Sequence, residues 1–185
     1  MKDINGSSLD MDFIREVEER SGQKVARCYQ CGNCTAGCPY NFAYDIPVNK
    51  LMRYIQSGSR DKALESKAVW LCGSCQSCTT RCPNNIDVCR VMDVLRHMAR
   101  ESGQKSERNV RLFADTFLES VEKNGRVYEA GLMAKYAAQS GNVLGDIDLA
   151  PMVLAKHKLK FRPHPIRKRK AVEDIFRRFR ENGHK

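Results

Sequence analysis

Eight of the nine cysteines in this 185-residue chain stand in two copies of one pattern, and that pattern leaves the backbone little freedom. The first copy is CYQCGNCTAGCP, with Cys28, Cys31, Cys34 and Cys38 followed by Pro39. The second is CGSCQSCTTRCP, with Cys72, Cys75, Cys78 and Cys82 followed by Pro83. Both read Cys-x2-Cys-x2-Cys-x3-Cys-Pro. Any fold must close two tight loops around these thiols and give each loop a partner.

The partner is a metal rather than a disulfide. The first residues, MKDINGSSLDMDF, are polar and acidic where a signal peptide carries a basic and then an apolar stretch. The longest apolar run, LAPMVLA at 149–155, falls far short of the roughly 20 residues that span a bilayer. We therefore expect a cytoplasmic chain with no transmembrane segment, in a compartment that keeps thiols reduced. Three cysteines two residues apart can wrap three corners of a cubane from one loop, and the fourth must come from elsewhere. The spacing thus predicts two [4Fe–4S] clusters with exchanged ligands. Cys28, Cys31, Cys34 and Cys82 would hold the first; Cys72, Cys75, Cys78 and Cys38 would hold the second. The proline after each fourth cysteine lacks an N–H and turns the chain away. Structural zinc is the competing reading, but zinc sites join two short ligand pairs across a long spacer, which these runs do not resemble.

With a mean hydropathy of −0.54 and 29% charged residues, much of the chain must face water. The net charge of +10 is concentrated at one end. Residues 156–185 carry 12 Lys/Arg and 3 Asp/Glu, whereas residues 1–155 carry 20 and 19. Each oxidised cluster with four thiolates adds about −2, so the loaded body becomes mildly acidic.

The apolar spacing is helical and strand signals are weak, so the fold class is mainly α. Residues 8–20 place Leu9, Phe13, Ile14 and Val17 on one face before Gly22. From Pro47, a helix carries Leu51, Met52 and Ile55 to Gly58. Residues 59–66 read as a short helix capped by Ser59. Residues 86–101, with Val88, Cys89, Met92 and Leu95, form the clearest core helix, ended by Ser102 and Gly103. A further helix opens at Ser106 and carries Val110, Phe113, Phe117 and Val121 to Asn124 and Gly125; another covers 127–139. Residues 140–166 read as irregular, and 167–182 as a basic helix. We divide the chain into a cluster-binding domain, 1–140, and an irregular linker with a basic C-terminal tail, 141–185.

Within the runs, Gly32, Gly37 and Gly73 allow close backbone approach, and Tyr29 and Trp70 are expected to shield the clusters from water. Cys89 reads as a small buried hydrophobe. His97, His157, His164 and His184 form no ligand constellation. There is no GxGxxG loop, no CxxC outside the runs and no adjacent Cys-Cys, so no catalytic residue is assigned. The tail interleaves its charge with Leu159, Phe161, Ile166, Val172, Ile175, Phe176 and Phe179. That pattern suits docking on an acidic partner protein. Two other roles, a solvated extension and peripheral contact with a membrane, stay open. No nucleic-acid partner is expected, since a basic patch alone is only an electrostatic footprint.

The two runs, separated by 33 residues that include a whole predicted helix, resemble the alpha-helical ferredoxin domain. That domain also occurs in succinate dehydrogenase iron–sulfur subunits. ARCYQCGNCTAGCP, VWLCGSCQSCTTRCPNNID and RLFADTFLESVEKNGRVYE look most like the C subunit of heterodisulfide reductase. The resemblance implies a non-catalytic electron-transfer subunit of an oxidoreductase complex. Its partners would be a flavin-containing A-like protein and a cysteine-rich, disulfide-reducing B-like protein, the other two components of such a complex. The iron–sulfur subunit of another dehydrogenase or quinone-linked complex, and a free ferredoxin-like carrier, are the alternatives.

Overall fold

A computed structural model describes residues 10–104, 106–141, 152 and 162–182, and among these no residue is in a strand. The chain divides into two compact units, Met1–Glu107 and Arg108–Lys185. Leu9, His157, Leu159, Phe161, His184 and most of the irregular stretch expected at 140–166 lie outside the described residues.

The first unit is built from seven helices in the described residues: α1 (Met11–Ser21), α2 (Asn33–Ala36), α3 (Val48–Gln56), α4 (Arg60–Leu64), α5 (Lys67–Leu71), α6 (Ser77–Thr80) and α7 (Val88–Glu101). Asp10 starts α1 by accepting the Phe13 N–H at 2.8 Å, which satisfies an otherwise orphaned donor. Gly22 ends it in the left-handed region, φ 67°. α3 and α7 are the long helices after each cysteine run. Their inward faces, Leu51 and Ile55 on one and Val91, Leu95 and Met98 on the other, are fully buried together with Phe13 and Val17 of α1. Each such side chain contributes roughly 1.5–3 kcal/mol by leaving water. An Arg20–Glu101 pair, doubly hydrogen-bonded at 2.7 and 2.8 Å, ties the end of α1 to the end of α7.

One helix was not predicted and one cap needs correction. α5 does not follow from periodicity, because five residues show less than two turns. It exists because Ser66 and another side chain, described below, cap its start. Ser59 does precede α4, but its hydroxyl is engaged with that of Ser57 at 3.0 Å and caps nothing.

The second unit contains α8 (Arg108–Asn124), α9 (Glu129–Ser140) and α10 (Arg169–Asn182). Gly125, φ 76°, ends α8 at the expected place. Its packing is thin: among its described residues, only Leu132 and Thr116 are buried. Phe113 stacks edge-on against Tyr136 at 5.6 Å, and Lys135 pairs with Glu119. α10 pairs Arg180 with Glu122 of α8 and leaves Ile175 and Phe179 exposed.

Candidate metal centre

The first cysteine of each run is delivered by a short helical segment held at both ends. In the first half that segment is the 3₁₀ turn Val25–Arg27. Glu18 of α1 accepts the Val25 N–H at 2.9 Å, and Gln56 of α3 donates to the carbonyls of Val25 and Cys28 at 3.0 and 2.7 Å. In the second half the segment is α5. Asp45 accepts from the Lys67 N–H at 3.1 Å, the Ala68 N–H at 3.2 Å and the Ser66 hydroxyl at 2.8 Å. Arg96 of α7 donates to the carbonyls of Val69 and Cys72 at 3.0 and 2.6 Å. Gln56 and Arg96 are each the ninth residue of their helix and bind the same two carbonyls of their own half.

The loops match as well. Thr35 and Thr79 follow the third cysteine of each run. Each accepts the N–H of the second residue of the helix that follows: Asn49 at 3.0 Å and Cys89 at 3.1 Å. The residues flanking the second cysteine turn left-handed in both copies, Gln30 and Gly32 in one (φ 65° and 81°), Ser74 and Gln76 in the other (φ 49° and 65°). Such turns point successive N–H groups to one side, a concavity suited to anionic sulfur. Gly37 and Gly73 instead admit close neighbours, the Arg81 side chain and the Tyr40 ring.

These two frames surround two cavities of similar size, ≈ 310 and ≈ 330 Å³ counting their mouths. Cys28, Cys31, Cys34 and Cys82 line the first, with Met52, Ile86 and Val88. Cys38, Cys72, Cys75 and Cys78 line the second, with Val48, Met92 and Cys89. Each cavity is thus lined by three thiols from one run and the last thiol of the other. Each opens at its middle cysteine, since Cys31 and Cys75 are exposed.

As free thiols the inner members resist ionisation. Burial pushes Cys34 up, and burial together with Cys89 and Cys72 pushes Cys78 up to about 12. The Ser77 hydroxyl and N–H hold exposed Cys75 below the ordinary thiol range. Metal that displaces these protons must supply enough positive charge to hold four thiolates together. Among the described residues, no three His, Cys, Asp or Glu side chains are close enough to grip a single ion. A lone zinc at about 2.3 Å would need its sulfurs within about 3.8 Å of one another. Four thiols spread around a cavity fit a cluster with four separate metal corners, so the donor set suits [4Fe–4S] chemistry.

Several residues depart from expectation or escaped it. Trp70 is buried, but Tyr29 is 62% exposed and shields little. Cys89 is buried, yet it is more than filler because it is the fifth cysteine on the second cavity. His97 and His164 line neither cavity. Glu18, Asp45, Gln56 and Arg96 went unnoticed because they touch backbone rather than metal. Aligning α3 with α7, instead of the cysteines alone, would have paired Gln56 with Arg96.

Comparison with known proteins gives the same picture. The profile of the 4Fe-4S dicluster domain matches residues 27–87. The chain is 29% identical over 136 residues to the iron-sulfur C subunit of the CoB–CoM heterodisulfide reductase of Methanopyrus kandleri, covering 68% of this chain and 71% of that one. It is 29% identical over 100 residues to the C subunit of the H2:CoB-CoM heterodisulfide,ferredoxin reductase of Methanothermobacter thermautotrophicus, covering 54% of each. Over 82 residues it is 38% identical to the C subunit of the ferredoxin:CoB-CoM heterodisulfide reductase of Methanosarcina acetivorans, covering 44% of this chain and 33% of that one. The matches therefore span from one third to about seven tenths of these relatives' own lengths. Among the described residues no helix is long and apolar enough to cross a membrane.

Proposed function

We propose that this chain, a member of the heterodisulfide reductase C-subunit family, is a cytoplasmic electron-transfer protein that connects a flavin-containing A-like partner to a cysteine-rich, disulfide-reducing B-like partner. The ligands are Cys28, Cys31, Cys34 and Cys82 for one [4Fe–4S] cluster and Cys72, Cys75, Cys78 and Cys38 for the other. When bound, the clusters supply one-electron chemistry at potentials that the surrounding protein adjusts. The observation that supports this reading most is the exchange of the fourth cysteine between two half-sites of matching construction.

The chain's own residues do three things in this role. Glu18, Gln56, Asp45 and Arg96 hold the backbone that delivers the first cysteine of each run. Apolar Met52, Val88, Val48 and Met92 keep water from the inner walls. Exposed Cys31 and Cys75 leave each site one edge toward a partner. The tail follows as a docking element: Ile175 and Phe179 stand exposed on a helix rich in Arg and Lys, suited to an acidic, partly apolar protein surface.

Anaerobic purification from the native cell tests this. Eight irons per chain, with a flavoprotein and a second cysteine-rich protein in the same complex, is the expected result. A lone brown monomer would point to a free carrier. A colourless protein with stoichiometric zinc would overturn the reading. Deleting 156–185 should weaken recovery of the partners while leaving iron content unchanged; intact assembly would remove the tail from the docking surface.

A further inference from the structure

A short polar network stands behind the first cysteine of each run, and the two networks spend their protons differently. In the first half, Gln56 gives both hydrogens of its side-chain amide to backbone, donating to the Val25 carbonyl at 3.0 Å and the Cys28 carbonyl at 2.7 Å. Its oxygen is left to accept, and Gln30 supplies the donor, Nε2 to Gln56 Oε1 at 3.3 Å. This fixes the orientation of the Gln30 amide, because Gln56 has no hydrogen left to offer the Gln30 oxygen. The second hydrogen on Gln30 Nε2 then serves the Cys28 sulfur, 3.4 Å away. Gln30 lines the first cavity, and no other glutamine lines either cavity.

The backbone at Gln30 is left-handed, φ 65°, an uncommon state for a residue with a Cβ. In that state its side chain reaches back to Cys28, two residues earlier, and the two amide bonds hold it there. Ser74 occupies the same place after Cys72 and is left-handed too, φ 49°. Its one hydroxyl proton goes to Asp93 at 3.1 Å, and Asp93 also accepts from Arg96 at 3.4 Å. A hydroxyl donates once and a carboxylate only accepts, so Ser74 and Asp93 offer the Cys72 sulfur no proton.

A donor aimed at ligating sulfur favours the more negative, reduced cluster and raises its potential. The Ile86 N–H, 3.4 Å from the Cys82 sulfur, is a backbone donor to the same ligand set. In the second set the Ser77 hydroxyl lies 3.5 Å from Cys75, but on the exposed edge where water competes. Gln30 and Cys28 are half-buried, so their contact is better shielded.

We infer that Gln30 is a potential-setting residue for the cluster of Cys28, Cys31, Cys34 and Cys82, raising its reduction potential by donating from Nε2 to the Cys28 sulfur while Gln56 locks the amide. It acts through Cys28 and does not touch substrate, so it is a positioning residue. The inference rests on the ligand sets proposed above.

The test is a potentiometric titration of the full, cluster-loaded chain followed by electron paramagnetic resonance. The Cys31→Ser variant marks which signal belongs to the first site. Gln30→Met keeps the length of the side chain and removes the donor. It should keep eight irons and lower the marked midpoint alone. The expected change is about threefold to tenfold in the reduction equilibrium, or about 28–59 mV for one electron. An unmoved first midpoint, or two midpoints that fall together, would overturn the inference. A second measurement needs no variant at position 30 and decides the matter even if Gln30→Met loses the cluster. Wild-type chain whose glutamine side-chain amides carry the heavy nitrogen isotope should show a nitrogen coupling on the reduced first-site signal in pulsed electron paramagnetic resonance. Its absence would overturn the inference as well. A wild-type chain without two reducible clusters would instead refute the underlying ligand assignment.

Discussion

Replacing Asp45 with alanine should loosen the second half-site before the first. The Asp45 carboxylate accepts the Ile46 and Lys67 N–H groups at 2.9 and 3.1 Å, the Ala68 N–H at 3.2 Å and the Ser66 hydroxyl at 2.8 Å. Loss of a helix-capping acceptor costs about 1 kcal/mol. Ser66 is only 2% exposed, so its hydroxyl would be left a buried donor without an acceptor, adding about 1–3 kcal/mol. Asp45 itself is exposed, and water entering in its place recovers part of this. The net expectation is about 2 kcal/mol, roughly a thirtyfold shift in the folding equilibrium. Anaerobic guanidinium titration, followed by helical circular dichroism and visible cluster absorption, would measure it. Absorption from the Cys38/Cys72 cluster should bleach at lower denaturant than the rest. The sign with pH also follows. Burial works against the charge on Asp45, but the N–H groups of Lys67, Ala68 and Ile46 and the Ser66 hydroxyl outweigh it and hold the carboxyl below its usual range. Its contribution is therefore fully present above roughly pH 4 and fades only as pH falls through the lowered value. The gap between wild type and variant should stay constant from about pH 5 to 8. A loss under about 0.5 kcal/mol, the size of an ordinary surface substitution, would refute this account of the clamp. So would equal bleaching of both clusters.

Further outcomes can be checked on the same protein. Gly58→Ala should destabilise by more than about 2 kcal/mol, read as a lower thermal midpoint. The residue has φ 59°, and an added Cβ would lie 2.5 Å from the Asp10 backbone nitrogen, at the cap of α1. Cys89→Ser should leave eight irons, because four other thiols already line that cavity; loss of a cluster would make Cys89 a ligand. Arg96→Ala should lower the denaturant midpoint and shorten the lifetime of the second cluster, whereas Arg96→Gln should recover most of it, because glutamine does the equivalent work at position 56. Arg20→Ala should cost less than about 1 kcal/mol despite its two hydrogen bonds to Glu101, because both side chains are reached by water and salt.

The readable parts of this chain were those governed by short range. Helical spacing located α1, α3 and α7 to within a few residues, because each buries one continuous stripe: Phe13 and Val17, Leu51 and Ile55, Val91 and Leu95. Gly22 and Gly125 ended helices where expected because a left-handed terminus favours glycine. α5 was not legible, since five residues carry too little periodicity and the side chains that hold it come from 22 residues before Lys67 at Asp45 and 24 after Cys72 at Arg96. Tyr29 misled because proximity in sequence to Cys28 does not decide how much of an aromatic ring stays in water.

The cysteine runs alone determined that two metal centres form and how many thiols each loop offers, because ligand number and loop reach are covalent facts. They also implied that the fourth ligand crosses between runs. The tertiary structure decided how the first cysteine of each run is held, through Gln56 and Arg96 reaching the same two carbonyls in each half. It also made the halves unequal, placing Cys89 and Tyr44 on one cavity and neither on the other. The Gln56 and Arg96 contacts join residues 24 to 31 positions apart, and such pairing leaves no mark in local spacing. They are set by how α3 and α7 pack across the core, and only the folded chain brings them together.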